Sequence, residues 1–121
     1  ALAVRVLAQE GVPEAGCDLH CFTSDARIME DFCRLGCNIA FGGASTFSRS
    51  EDIRDAARVC PERLMLTETD CPYMAPEPVR GTRCDSSLIR YVGEYIAQLR
   101  GISAEEVFRT TAENARRIYG L

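Results

Sequence analysis

Three short apolar segments, separated by stretches of helical periodicity, leave this chain few folds to choose from. The segments run from about Cys17 to Phe22, from Asn38 to Phe41 and from Leu64 to Thr69. Each is apolar on both sides until its last residues, as in parallel strands covered by helices on both faces. The intervening residues have helical spacing. Ser24 is placed to cap a helix with Ile28, Phe32 and Leu35 inward and Gly36 at its end. Ser50 is placed to cap a second, with Ile53, Ala56, Ala57 and Cys60 inward and Pro61 just beyond. An irregular stretch from Cys71 to Asp85 follows, holding Pro72, Pro76, Pro78 and Gly81. Two helices finish the chain. One carries Leu88, Val92, Tyr95, Ile96 and Leu99 on one side; the other opens with Ser103 and Glu106 at capping-box spacing and buries Val107, Thr111, Ala115 and Ile118.

Alternating α and β units predict a parallel sheet with right-handed crossovers. Two architectures share that pattern, a doubly wound open sheet and a (β/α)8 barrel. A whole barrel takes about 250 residues, so the 121 residues here make roughly half of one. The chain opens on Ala1 in what looks like the middle of a helix, which is how an excised piece would look. In both architectures chemistry gathers at the C-terminal ends of the strands. Those ends are His20, Gly42-Gly43 and Asp70.

The net charge of -4 argues against holding nucleic acid by bulk electrostatics. A phosphate substrate would need a metal ion or a few local arginines to neutralise it. The seven cysteines are odd in number and no secretory signal precedes them, so they are expected to be reduced and packed as small hydrophobes in the cytosol. The pairs Cys17/Cys21 and Cys33/Cys37 have a zinc-like gap, but the first falls in a strand and Cys33 lies in a helical stripe. No apolar run reaches the roughly 18 residues a membrane span requires.

His20 is the only histidine and shares a predicted strand face with Asp18 and Phe22. An imidazole at a strand's C-terminal end can ligate a divalent metal through one nitrogen while a hydrogen bond orients the other. Glu68 and Asp70, two apart at the end of an apolar strand, put two carboxylates on one face and call for a positive partner, a metal ion or an arginine. Arg80, Gly81, Thr82 and Arg83 offer guanidinium forks and a free glycine N–H, which suit phosphate oxygens. Ser45, Thr46 and Ser48 follow Gly42-Gly43, where they either hydrogen-bond a substrate or lead into the Ser50 cap.

These residues also form a recognisable set: His20-Cys21-Phe22-Thr23, Phe41-Gly42-Gly43, Leu66-Thr67-Glu68-Thr69-Asp70-Cys71-Pro72-Tyr73-Met74-Ala75-Pro76, Arg80-Gly81 and Thr110-Thr111-Ala112-Glu113-Asn114-Ala115. In order and spacing they resemble the TatD family of metal-dependent deoxyribonucleases. The resemblance covers nearly the whole chain and the second half of the family's domain. It implies a (β/α)8 barrel with a divalent metal (magnesium, manganese or zinc) at its C-terminal mouth, hydrolysing phosphodiester bonds in single-stranded DNA or at DNA ends. It further implies that His20 is a metal ligand and that Asp70 is both a ligand and the catalytic residue nearest the attacking water. Glu68 would be an acid behind the ligands, and Arg80 and Gly81 would contact substrate.

Two positions depart from the family's pattern: Ser24 stands where it has glycine, and Cys84 where an asparagine often follows Arg-Gly. The family's His-x-His pair, and its later glutamate and histidine, have no counterpart here. A catalytic site of this kind needs three or more protein ligands, so the expectation is an incomplete, inactive fragment that self-associates or pairs with the rest of a domain. Two other readings stay open: a non-catalytic half-barrel association module, and a hydrolase of this barrel class with a substrate other than DNA.

Overall fold

A computed structural model describes residues 1–121. It contains helix α1 (Leu2–Glu10), strand β1 (Asp18–Leu19), α2 (Ala26–Arg34), β2 (Asn38–Phe41), α3 (Glu51–Val59), β3 (Met65–Thr67), α4 (Ile89–Arg100) and α5 (Ala104–Tyr119). The strands form one parallel sheet in the order β1-β2-β3, with Asp18 opposite Asn38 and Ile39 opposite Met65. This is the α/β alternation expected of part of a barrel. All four residues of β2 are buried, as the central strand of a helix-covered sheet must be. Its Ile39 and Phe41, and around it Met29, Met65, Ile96, Val92 and Val107, are fully enclosed.

Polar side chains fasten the helices to the sheet. Asn114, buried in α5, donates to the carbonyls of Glu62 (2.7 Å) and Met65 (2.8 Å) at the entrance to β3. The Arg100 guanidinium, at the end of α4, covers the carbonyls of Ala57 (2.8 Å) and Cys60 (2.9 Å) at the end of α3. Buried Arg54 joins Glu51 (2.6 Å) and donates to the backbone carbonyls of Phe47 and Ser48, stapling α3 to the turn before it.

Several local expectations are corrected. Asp25, one residue beyond Ser24, caps α2 by accepting the Ile28 N–H at 2.8 Å. Within α2 the buried residues are Met29 and Phe32, while Ile28, and Leu35 just past the helix end, are half-covered. Ser50 makes no side-chain cap bond to α3; Glu51 and Asp52 in the first turn complement the helix dipole instead. The capping box of α5 forms as expected, with Ser103 and Glu106 bonded reciprocally. Buried Asn114 joins Val107 and Thr111 on the inner side of that helix, whereas Ala115 and Ile118 are half-buried. No helix is long and apolar enough to cross a membrane. All seven cysteines are free thiols.

Candidate metal centre

The first strand ends earlier than its alternation suggests, and this shapes the site. β1 stops at Leu19, and His20-Cys21 form a turn in which Cys21 takes φ +50°. The turn breaks the two-residue period. Phe22 drops into the core against Phe41, with ring centroids 5.8 Å apart, while His20 stays exposed at the end of the sheet. The Phe22 N–H donates to the Ala40 carbonyl at 3.0 Å and anchors the turn on β2.

Onto that turn the end of β3 brings both acids. The Nδ1 of His20 is ion-paired with Glu68 Oε2, and its Nε2 lies 3.3 Å from Asp70 Oδ1. Glu68 Oε2 also accepts the Cys21 N–H at 2.9 Å, so the backbone of one strand end holds the carboxylate of another. Glu68 Oε1 is buried without a hydrogen-bond partner. The Glu68 N–H in turn donates to the Phe41 carbonyl at 3.0 Å, extending the pairing of β3 with β2 past its last strand residue. The three strand ends that the sequence marks as chemical therefore meet at one mouth.

Two glycines stand between them. A Cβ on Gly42 would lie 2.8 Å from Glu68 Oε1, and one on Gly43 would lie 2.0 Å from the Met74 carbonyl oxygen. The charge balance follows from the contacts. The Glu68 carboxylate raises the His20 pKa above its ordinary 6.5, with Asp70 adding to the effect against the opposing influence of desolvation. In the protonated state the imidazolium bridges two carboxylates. In the neutral state Glu68 selects the tautomer with the proton on Nδ1 and leaves the Nε2 lone pair facing Asp70.

The Nε2–Asp70 separation suits a shared cation. His20 Nε2 and Asp70 Oδ1, 3.3 Å apart, are the two atoms that would hold it. The donor set, one imidazole and one carboxylate, is the chemistry that magnesium, manganese or zinc accepts. It is a partial set, since this chain brings together no group of three His, Cys, Asp or Glu side chains that could hold a metal ion by itself.

The other expected residues fall elsewhere. Arg80 lies over the Phe47 ring, 4.0 Å from its centroid. With Gly81, Phe47, Tyr73 and Met74 it lines an open cleft of about 360 Å3. Gly81 has φ +89°, a turn conformation that suits glycine. Ser45 and Thr46 are not free for a substrate: both are buried, donating to the carbonyls of Gly42 (2.8 Å) and Gly43 (2.7 Å), and Thr46 Oγ1 also accepts the Glu77 N–H. A further acid lies on β1. Asp18 accepts the Tyr119 hydroxyl at 2.8 Å through Oδ2 and keeps Oδ1 buried without a partner. Its place on a strand face was legible in the sequence, but the tie to Tyr119, 101 residues away, was not.

The chain belongs to the family described as TatD related DNase, whose sequence model matches residues 1–120. It is 41% identical over 116 residues to the uncharacterized metal-dependent hydrolase YcfH of Escherichia coli K12, covering 96% of this chain and 44% of that protein. It is 35% identical to YabD of Bacillus subtilis, also an uncharacterized metal-dependent hydrolase, over 96% of this chain and 46% of that protein. The crystal structure of YJJV, a TatD homologue from Escherichia coli K12, superposes with a TM-score of 0.89 at 24% identity, over 98% of this chain and 45% of that one. A TatD-family hydrolase from Entamoeba histolytica gives 0.79 at 18% identity, over 94% of this chain and 45% of that one. The fold is thus part of a TIM-type (β/α)8 barrel, and the chain spans less than half the length of the relatives it matches.

Proposed function

We propose that the domain containing this chain is a divalent-metal-dependent hydrolase of phosphodiester bonds in DNA, with His20 and Asp70 as two of its metal ligands. The observation that carries this reading is the His20 imidazole, set between Asp70 on one nitrogen and Glu68 on the other. A bound divalent cation would supply a polarised phosphate oxygen and an acidified water. Glu68 holds the Nδ1 proton, so that His20 presents Nε2 in a fixed orientation. Asp70, half-buried beside it, is the base placed to take a proton from the attacking water. Arg80, steadied on Phe47, offers its guanidinium and Gly81 its N–H to the phosphate chain, which supports phosphodiesters over amides as substrate. The relatives named as metal-dependent hydrolases and the family's description as a DNase support the same class.

Because this chain gathers two ligands, the remaining ones come from the rest of the domain, and the isolated 121 residues are inactive. The test is hydrolysis of a single-stranded oligonucleotide by the complete domain with manganese or magnesium, beside His20→Ala and Asp70→Asn variants. The complete domain is expected to cleave, each variant to lose about 100-fold or more, and the 121-residue chain to release nothing. Full activity in the Asp70→Asn variant, or turnover by the 121 residues alone, overturns the assignment.

A further inference from the structure

The long loop after β3 returns on itself, and its two ends meet through sulfur. Cys71 Sγ lies 3.8 Å from Cys84 Sγ. The Cys84 N–H donates to the Pro72 carbonyl at 3.0 Å, so the two backbone strands are already joined where the thiols face each other. Between them run the residues that carry Tyr73, Arg80 and Gly81. A disulfide spans about 2.05 Å, so the sulfurs need to approach by only roughly 1.8 Å. Cys71 is exposed, whereas Cys84 is buried beneath it. Cys17 also meets Cys37, and Cys33 meets Cys60, but none of those four thiols is exposed. A dissolved oxidant therefore reaches Cys71 first.

We propose that Cys71 and Cys84 form a peroxide-responsive dithiol whose oxidation pins the base of the loop bearing Arg80 and Gly81. The Cys71 sulfur attacks a peroxide, breaking its O–O bond; Cys71 becomes a sulfenic acid and the peroxide leaves as water or an alcohol. The Cys84 sulfur then attacks the Cys71 sulfur, the S–O bond breaks, and water departs with the Cys84 proton. Two electrons pass from the thiols to the peroxide in all. Cys71 gives up its contact with Thr69 Oγ1, at 3.0 Å, when it turns toward Cys84. A dithiol reductant reverses the change.

The experiment treats the protein with hydrogen peroxide, blocks the remaining thiols by alkylation and digests with trypsin without reductant. The expected product is Leu64–Arg80 joined to Cys84–Arg90, about 2 Da lighter than the two free peptides together and separated by reductant. In native digests, cleavage after Arg80 and Arg83 is expected to slow about threefold or more on oxidation, because a pinned loop opens less often to the protease. The exposed Cys71→Ser change should abolish both effects while leaving the untreated digest unchanged. Absence of the joined peptide, Cys71 joined as often to another cysteine, or equal cleavage rates in oxidised and reduced protein each overturn the proposal.

Discussion

Gly42 lies so close to Glu68 that a Cβ there would stand 2.8 Å from Oε1 and 3.4 Å from Cγ. The other carboxylate oxygen is held by the Cys21 N–H and by His20, so the side chain cannot retreat without letting go of the imidazole. Gly42→Ala is expected to lower folding stability by about 1 kcal/mol, the low end for overpacking because the clash is with a side-chain end. In the complete domain it should weaken metal binding by about 10- to 100-fold, as loss of an orienting carboxylate does. Denaturant unfolding and metal titration check the two halves separately. An unaltered metal affinity would show that Glu68 does not orient His20.

Its neighbour should behave differently. A Cβ on Gly43 meets the Met74 carbonyl oxygen at 2.0 Å and the Pro76 nitrogen at 3.3 Å, both backbone atoms. Relief requires moving the loop that follows Asp70. Gly43→Ala is therefore expected to cost about 3 kcal/mol or more, read as a fall in the denaturant midpoint. A loss no greater than that of Gly42→Ala would contradict this contrast.

The acid pair around His20 also sets a pH dependence. Glu68, and after it Asp70, raises the folded-state pKa above the ordinary 6.5. Protonated His20 is favoured in the folded chain, so its contribution to stability is complete below about pH 6.5 and fades as pH rises through the raised value. The imidazole is largely exposed, so screening keeps the energy small and the titration itself is the better measurement. Ring-proton NMR of the metal-free chain should place the midpoint above 6.5, and Glu68→Gln should bring it down. A wild-type midpoint at or below 6.5 would be incompatible with the ion pair.

Asn114 belongs to the Thr-Ala-Glu-Asn segment, yet its amide is committed to structure. Asn114→Ala would strand the buried carbonyl of Met65 and remove the donor to the part-buried carbonyl of Glu62. The expected loss is about 2 kcal/mol, with the His20 titration unchanged. Thermal unfolding measures the first, NMR the second.

How much of this was readable from residues alone depends on how local each interaction is. β2 was legible because Asn38–Phe41 is apolar on both faces and Gly42-Gly43 stops it. The convergence of His20 with Asp70 followed from their places at the ends of parallel strands. The early end of β1 was hidden, because a positive φ at Cys21 leaves no mark in an alternating pattern and no glycine signals it. The choice of Asp25 over Ser24 as cap was equally hidden, since both side chains can accept the same kind of bond. Ser45 and Thr46 looked available for a substrate because nothing in their vicinity announces that each folds back onto a carbonyl three residues earlier. The grip of the Cys21 N–H on Glu68 spans 47 residues, beyond what spacing conveys.

Helix α1 contains no buried residue and leaves Leu2 and Val6 facing outward. Only partial cover of Val4 and Leu7 ties it to the core. Its amides should be the quickest of any helix here to trade hydrogen for deuterium, and on warming this segment should fray while the β2 ladder is still intact. Melting of the molecule then has a direction, beginning at α1 and arriving last at the strand between its two neighbours.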